Sequence, residues 1–398
     1  MKTAVQFGAG NIGRGFMGQL FWEACYRTIF VEYAKPLVKL LNDKKAYPLR
    51  LLDAYSKREI NLTIDRFEAL STDETSKVSE AFANADVVGT AVGVKNLETI
   101  APLVAGGIKL RHAQKRGPVD IYLCENILDA AESLRKAVMR ILGPTYEEWV
   151  EKSVGFVGTS VARMVPAASD RFGVKDPLFV VADSYHKFPY DGKAVKAKQP
   201  PIEGMNPVVN FKAEVERKLF TYNLGHAALA YLGHLKGYSY VHEPYGDADL
   251  APIVEGALDE TSKALLAMYP KDLDPAGQEE VRGDVRVRFG NPLLMDTVQR
   301  VGRDPLRKLG PNDRLVGSAR LCEKHGVFPG FIAKVCGAAL LYDRADDPDA
   351  LKLQDKIKAK GVEKTLKDVS GVDPQSDLGN AIVKSYTELK IKLKEWRG

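Results

Sequence analysis

Residues 3 to 32 constrain the fold more than any other stretch. Thr3-Ala4-Val5-Gln6-Phe7 is largely apolar and runs straight into Gly8-Ala9-Gly10-Asn11-Ile12-Gly13. Ile12 to Cys25 has helical length. Thr28-Ile29-Phe30-Val31 then reads as a second short strand, closed by Glu32 at 19 residues beyond Gly13. A strand, a Gly-x-Gly-x-x-Gly turn, a helix and a strand ending in an acid together open a Rossmann-type dinucleotide fold.

Each position has a physical task. Gly8 permits the tight turn, Gly10 lets the backbone approach a pyrophosphate, and Gly13 lets the helix pack close to the sheet. Asn11 and Ile12 open the helix, whose unpaired N–H groups suit phosphate. Glu32 is placed to accept from ribose hydroxyls, and its charge repels a 2′-phosphate, which favours NAD over NADP. Gly93, after the apolar run Asp86 to Ala91, is taken as a further cofactor contact. FAD and S-adenosylmethionine sites share parts of this pattern.

Val119 to Cys124, Val154 to Val157 and Leu178 to Val181 continue the series of buried-strand candidates, with helical segments between most of them. Such alternation gives a parallel sheet covered on both faces. Lys196 to Pro207 is rich in proline and glycine and reads as a linker. Beyond it, Phe211 to Leu235, Leu250 to Met268, Met295 to Val301 and Gly330 to Leu341 carry helix-period apolar residues, and the charged tail has breaks at Gly361 and Gly371. The expected fold is α/β: an N-terminal Rossmann-type dinucleotide-binding domain over residues 1–200, then a mostly α-helical substrate domain over 201–398.

Composition excludes several classes. At 398 residues, 45% hydrophobic and 27% charged, the chain suits two globular domains. No apolar run reaches the roughly 18 residues that span a bilayer, and the N-terminus lacks the layout of a secretory signal; no membrane partner and a cytoplasmic location are expected. The four cysteines are widely and irregularly spaced, and the six histidines form no metal-binding pair, so reduced thiols and no metal are expected. A net charge of +5, dispersed except between Arg300 and Arg314, argues against nucleic acid and suits an anionic small substrate.

The segment from Glu216 to His226 bears on chemistry. At about 100° per residue, Lys218, Asn223 and His226 fall near 0°, 140° and 80° on a helix, and they span about 12 Å along its axis. Oxidation of an alcohol needs a base, donors for the developing alkoxide and a group to orient the substrate. A buried lysine, a carboxamide and a histidine can supply these. On spacing alone the same residues more often make a polar helix surface. Asn126, in Tyr122-Leu123-Cys124-Glu125-Asn126, follows an apolar strand, and the carboxyl ends of such strands face the ligand crevice; a helix cap is the other reading.

Together these motifs resemble the polyol-specific long-chain dehydrogenase/reductase family. The resemblance covers roughly residues 1 to 345. It rests on Phe7 to Phe16, Cys124-Glu125-Asn126, the spacing of Lys218, Asn223 and His226, Arg288-Phe289-Gly290-Asn291-Pro292, and Arg300 to Leu309. It implies Lys218 as general acid/base, Asn126 and Asn223 as oxyanion donors, His226 as a substrate-orienting residue, NAD as cofactor and no metal. Arg300 and Lys308 match positions where members contact the far end of the polyol. Pro305-Leu306-Arg307-Lys308-Leu309 is similar to the branch that acts on mannitol phosphate. For a phosphate, Arg303, Arg307 and Lys308 are candidates, with Arg307 and Lys308 preferred. A free polyol or a sugar acid, handled elsewhere in the family, is the alternative substrate. A monomer is expected. Ala162 stands before Arg163 where the family often has an acid, and Tyr185-His186-Lys187-Phe188 replaces a tryptophan-containing strand.

Overall fold

β1 (Thr3–Phe7) lies inside a six-stranded parallel sheet. It is flanked on one side by β2 (Arg27–Glu32) and then β5 (Phe67–Ser71), and on the other by β6 (Val87–Thr90), β7 (Val119–Leu123) and β8 (Val154–Gly158). The computed structural model describes residues 1–125, 127, 129–166 and 172–397. These fall into two compact units, Met1–Val215 and Glu216–Gly398.

Alternating residues of the sheet enter two cores. Val5, Phe7, Ile29, Val31, Val88, Ile121 and Leu123 meet the helices Thr75–Ala83, Leu97–Ala113 and Ala130–Leu142. Ala4, Val87, Tyr122 and Val157 meet the helix of residues 11–23, through Phe16, Met17, Leu20 and Phe21. Each fully buried Phe or Leu contributes roughly 1.5–3 kcal/mol of burial free energy. Removing adjacent apolar positions of β1, such as Ala4 and Val5, would therefore strip both faces at once.

Leu178 to Val181 does form part of a strand, β9 (Val180–Asp183), but in a second sheet. There it pairs parallel with β3 (Tyr47–Asp53), which pairs antiparallel with β4 (Arg58–Ile64). An apolar run does not reveal which sheet will take it. The proline and glycine stretch also differs from a linker. Met205–Val208 forms β11, parallel to β10 (Phe188–Asp191). These two strands cover the second face of the large sheet, with Phe188, Tyr190 and Met205 in its core.

The second unit is helical in its described residues outside connecting loops and an isolated bridge between Tyr240 and Thr297. Its centre is the helical run of residues 216–235, whose final segment is buried at almost every position from Leu224 to Leu235. Ala251–Met268, Gly330–Leu340 and Val316–Lys324 pack in the same unit. Asp347 caps the helix Pro348–Ser370 by accepting from the Asp349 and Ala350 N–H groups. Gly361, at φ 81°, breaks that helix, and Gly371 ends it in the left-handed region. Among the described residues, no helix is long and apolar enough to cross a membrane.

Candidate active site

In the first unit, the turn after β1 sits where the strand order reverses, between β1 and β6. Ligands of open α/β sheets bind at that switch point. Gly8 has φ +87°, and a Cβ there would lie 2.5 Å from the Ala91 carbonyl oxygen. A Cβ on Gly13 would lie 2.0 Å from the Gly8 oxygen, so the helix is pressed onto the turn. Gly10, by contrast, has nothing within 4 Å of a Cβ position. Its backbone is open to close approach, and a side chain would fill that space. Asn11 and Gly10 are exposed and Ile12 half-buried. This arrangement fits a dinucleotide pyrophosphate.

Arg14 braces the turn from beneath. It is buried, donates from Nε to the Ala9 oxygen at 2.7 Å, and from Nη1 to the Leu178 oxygen at 2.6 Å. Glu32 is only 5% exposed. Its Oε2 accepts from the Ala9 N–H at 2.8 Å and its Oε1 from the Ala34 N–H at 3.0 Å. Each oxygen keeps a second lone pair, so the carboxylate can both shape the turn and take a ribose hydroxyl. Gly93 has φ +84°, and its backbone lies close enough to favour the charged form of Glu125. The Glu125 carboxylate also accepts from Thr90 Oγ1 at 2.6 Å and the Val92 N–H at 2.9 Å. Burial pushes its carboxyl up, against those hydrogen bonds. Sequence reasoning quoted Glu125 without giving it a task; here it holds the turn after β6. Asn126 lies outside the described residues.

In the second unit, the lysine helix is not a regular α-helix. Lys218–Asn223 has π spacing, between Phe211–Arg217 and Leu224–Leu235. A π turn closes five residues apart where an α turn closes four, and such bulges recur at functional sites. The bulge therefore adds one residue to the turn and corrects the angles expected from an unbroken α-helix. Asn223 then behaves as though four residues from Lys218 and His226 as though seven, about 40° and about −20° from it. All three share one stripe. The bulge also buries Phe220, Thr221 and Tyr222 in succession. Tyr222 donates to Asp284 at 2.8 Å, and Gln278 donates to Thr221 at 3.1 Å, which ties the bulge to the helix Pro275–Phe289.

Lys218 is 9% exposed and Asn223 half-buried. The His226 ring stacks on Phe289 with centroids 4.3 Å apart, and its Nε2 lies 2.9 Å from Asp296 Oδ2. Burial lowers the His226 pKa, although Asp296 opposes it. Asp296 accepts from Arg300 as well, from Nε and Nη2 at 2.6 Å each. Burial would raise the Asp296 carboxyl, but the hydrogen bonds from His226 and Arg300 hold it well below the usual carboxylate range. Sequence reasoning missed Asp296; its four-residue spacing to Arg300 was the signal that could have found it.

The basic residues after Arg300 have different surroundings. Lys308 is 5% exposed and its ammonium donates to the Val301 and Arg303 oxygens, beneath the Tyr231 ring. Burial, then Arg314 and Arg307, push its pKa down to about 7. Arg307 is paired with Asp313 at 3.0 Å and Asp304 at 3.4 Å. Arg303 is exposed, and among the described residues its guanidinium has no ion pair. No group of three or more His, Cys, Asp or Glu placed to hold a metal occurs among the described residues.

Residues 2–204 match the mannitol dehydrogenase Rossmann domain and residues 210–390 the mannitol dehydrogenase C-terminal domain. The chain is 37% identical to the mannitol-1-phosphate 5-dehydrogenase of Caldanaerobacter subterraneus subsp. tengcongensis, over 99% of this chain and 100% of that one. It is 37% identical to the protein of the same name from Thermoanaerobacter pseudethanolicus, over 98% of each. A substrate-free D-sorbitol dehydrogenase shares the fold at a TM-score of 0.81 and 18% identity, over 99% of this chain and 94% of that one. Pseudomonas fluorescens mannitol 2-dehydrogenase, solved with NAD and D-mannitol, does so at 0.76 and 16%, with the same coverage. A glycine turn built as a nucleotide cradle, the lysine stripe of the helical unit and matches along both units make one conclusion: the chain belongs to the mannitol dehydrogenase family.

Proposed function

We propose that the chain catalyses the reversible oxidation of D-mannitol 1-phosphate to D-fructose 6-phosphate, with NAD as cofactor. The observation that carries this reading is the π bulge at Lys218–Asn223, whose extra residue would align the buried Lys218 with the half-buried Asn223 and His226. The names of the full-length relatives support the substrate. Gly8, Gly10, Asn11, Ile12, Gly13, Glu32 and Gly93 are the residues that would hold NAD, which supplies the hydride acceptor. Lys218 takes the proton from the hydroxyl at C5 and returns it to the carbonyl oxygen in the reverse direction. Asn223, with Asn126, donates hydrogen bonds to that oxygen as charge builds on it. Neither carboxamide adds net charge, so the amine alone sets the protonation chemistry.

His226 and Arg300 orient the polyol. Arg303 and Arg307 are best suited to the phosphate, because both guanidinium groups are exposed. Lys308 is turned onto two carbonyls and lends positive potential from behind only while protonated, at or below about pH 7. The same reading has the enzyme working as a cytoplasmic monomer, with residues 1–200 holding the nucleotide and 201–398 the substrate.

The test is NADH oxidation with a panel of ketose phosphates, free ketoses and keto-uronates. Fructose 6-phosphate should be turned over with by far the highest kcat/KM. Preference for fructose, unchanged by Arg303→Ala and Arg307→Ala, would remove the phosphate from the reading.

A further inference from the structure

The groups proposed to meet the polyol are mainly hydrogen-bond donors: an amine that becomes an ammonium, carboxamide NH₂ groups and guanidinium groups. A hydroxyl carries one donor as well as its lone pairs. A site made only of donors leaves that O–H without a partner, and an unpaired polar group buried with the substrate weakens binding. Something on the stripe has to accept.

The geometry around His226 identifies the acceptor. An ionised carboxylate has no proton to give, so the 2.9 Å contact between Asp296 Oδ2 and His226 Nε2 requires the proton on Nε2. Arg300 grips the same carboxylate through two nitrogens and fixes its orientation. Phe289, stacked at 12° to the imidazole, fixes the plane of the ring. Among the described residues, Nδ1 makes no hydrogen bond. With one nitrogen proton-bearing, the other holds a lone pair when the ring is neutral.

We infer that Asp296 is a positioning residue that fixes His226 as its Nε2–H tautomer, so that Nδ1 accepts a hydrogen bond from a substrate hydroxyl. This deepens the polyol reading and rests on it. It makes His226 a discriminator. A hydroxyl presented to Nδ1 donates to it, whereas a carbonyl at that carbon would oppose one lone pair with another. The ring faces Asp296 from the turn before Val298–Gly302, Arg300 on that helix, and Lys308 on Pro305–Lys308. Burial above all, then Arg300 and Lys308 while protonated, lower the imidazole pKa against the pull of Asp296.

The experiment is nitrogen NMR on the full chain labelled with ¹⁵N-histidine, with the His226 signals assigned by their loss in His226→Gln. The wild type near neutral pH should give a proton-bearing shift at Nε2 and a bare, pyridine-type shift at Nδ1. A proton on Nδ1, or on both nitrogens, would overturn the inference. In Asp296→Asn the carboxamide can donate or accept, so the Nδ1 shift should move towards a mixture of tautomers. KM for fructose 6-phosphate should rise about tenfold while kcat changes by less than about threefold. An unchanged Nδ1 shift in Asp296→Asn would remove the assigned role from Asp296 even if KM rose. If the wild type turns over no ketose phosphate, the proposed function fails, while the nitrogen shifts still decide the tautomer.

Discussion

Lys218 and Asn223 stand five residues apart and one π turn apart, so the amine and the carboxamide share a stripe that a regular helix would have split. If that carboxamide stabilises the developing alkoxide, its removal should act on the chemical step. Asn223→Ala should lower kcat by roughly a hundredfold or more, with NADH affinity nearly unchanged. Steady-state kinetics with a fluorescence titration of NADH separates the two effects. A rise in KM alone would place Asn223 in ground-state binding instead.

The glycine turn makes two opposite predictions. Gly8→Ala puts a side chain at φ +87° and against the Ala91 carbonyl, which should cost about 1–3 kcal/mol of stability and abolish NADH binding. Gly10→Ala meets no protein atom, so its melting temperature should stay close to wild type while NADH affinity falls. Thermal melts beside NADH titrations check both.

Much of the first unit was legible in the sequence, and the reason is local. Phe7, Gly8 and Glu32 lie within one strand, turn and strand, where glycine geometry and apolar runs leave few alternatives. The hairpin of β3 and β4 was not legible. β4 is mostly exposed, so it lacks an apolar pattern, and its turn uses Lys57 at φ 54° rather than a glycine. β11 was hidden because Pro207 and Gly204 look like punctuation, although parallel pairing with β10 absorbs the backbone groups there. The angles expected for Lys218, Asn223 and His226 assumed an unbroken α-helix, and Lys218–Asn223 has π spacing instead. The bulge depends on burying Phe220, Thr221 and Tyr222 against a helix that begins more than fifty residues later. Asp296 was missed because its partnership with His226 spans 70 residues of chain.

Lys308 carries a prediction about pH. Its pKa is pushed from the ordinary 10.5 down to about 7 by burial and by Arg314 and Arg307. Between those two values the unfolded chain binds a proton that the folded chain lacks, so stability rises with pH through that window. Below about pH 7 both states hold the proton and the contribution is lost. Lys308→Met should remove this slope, up to about 1.4 kcal/mol per pH unit near the middle of the window. Urea denaturation of both proteins at pH 7, 8 and 9 measures the difference. Parallel curves would mean that the two carbonyls keep the ammonium charged.

Glu32 sets cofactor choice in this account through a charge near the ribose and through the Ala9 peptide it holds. Glu32→Gln retains an acceptor for the Ala9 N–H and removes the charge. The NADH over NADPH preference should fall by about tenfold or more, with a stability loss of about 1–3 kcal/mol because the new NH₂ faces the Ala34 N–H that Glu32 Oε1 had accepted. An unchanged preference would move discrimination to another residue.

The proton transfer assigned to the Lys218 amine is tested most directly by single-turnover NADH oxidation with fructose 6-phosphate in Lys218→Ala. The expected rate is at least about a hundredfold below wild type, with NADH binding intact. A rate within a few-fold of wild type would contradict it.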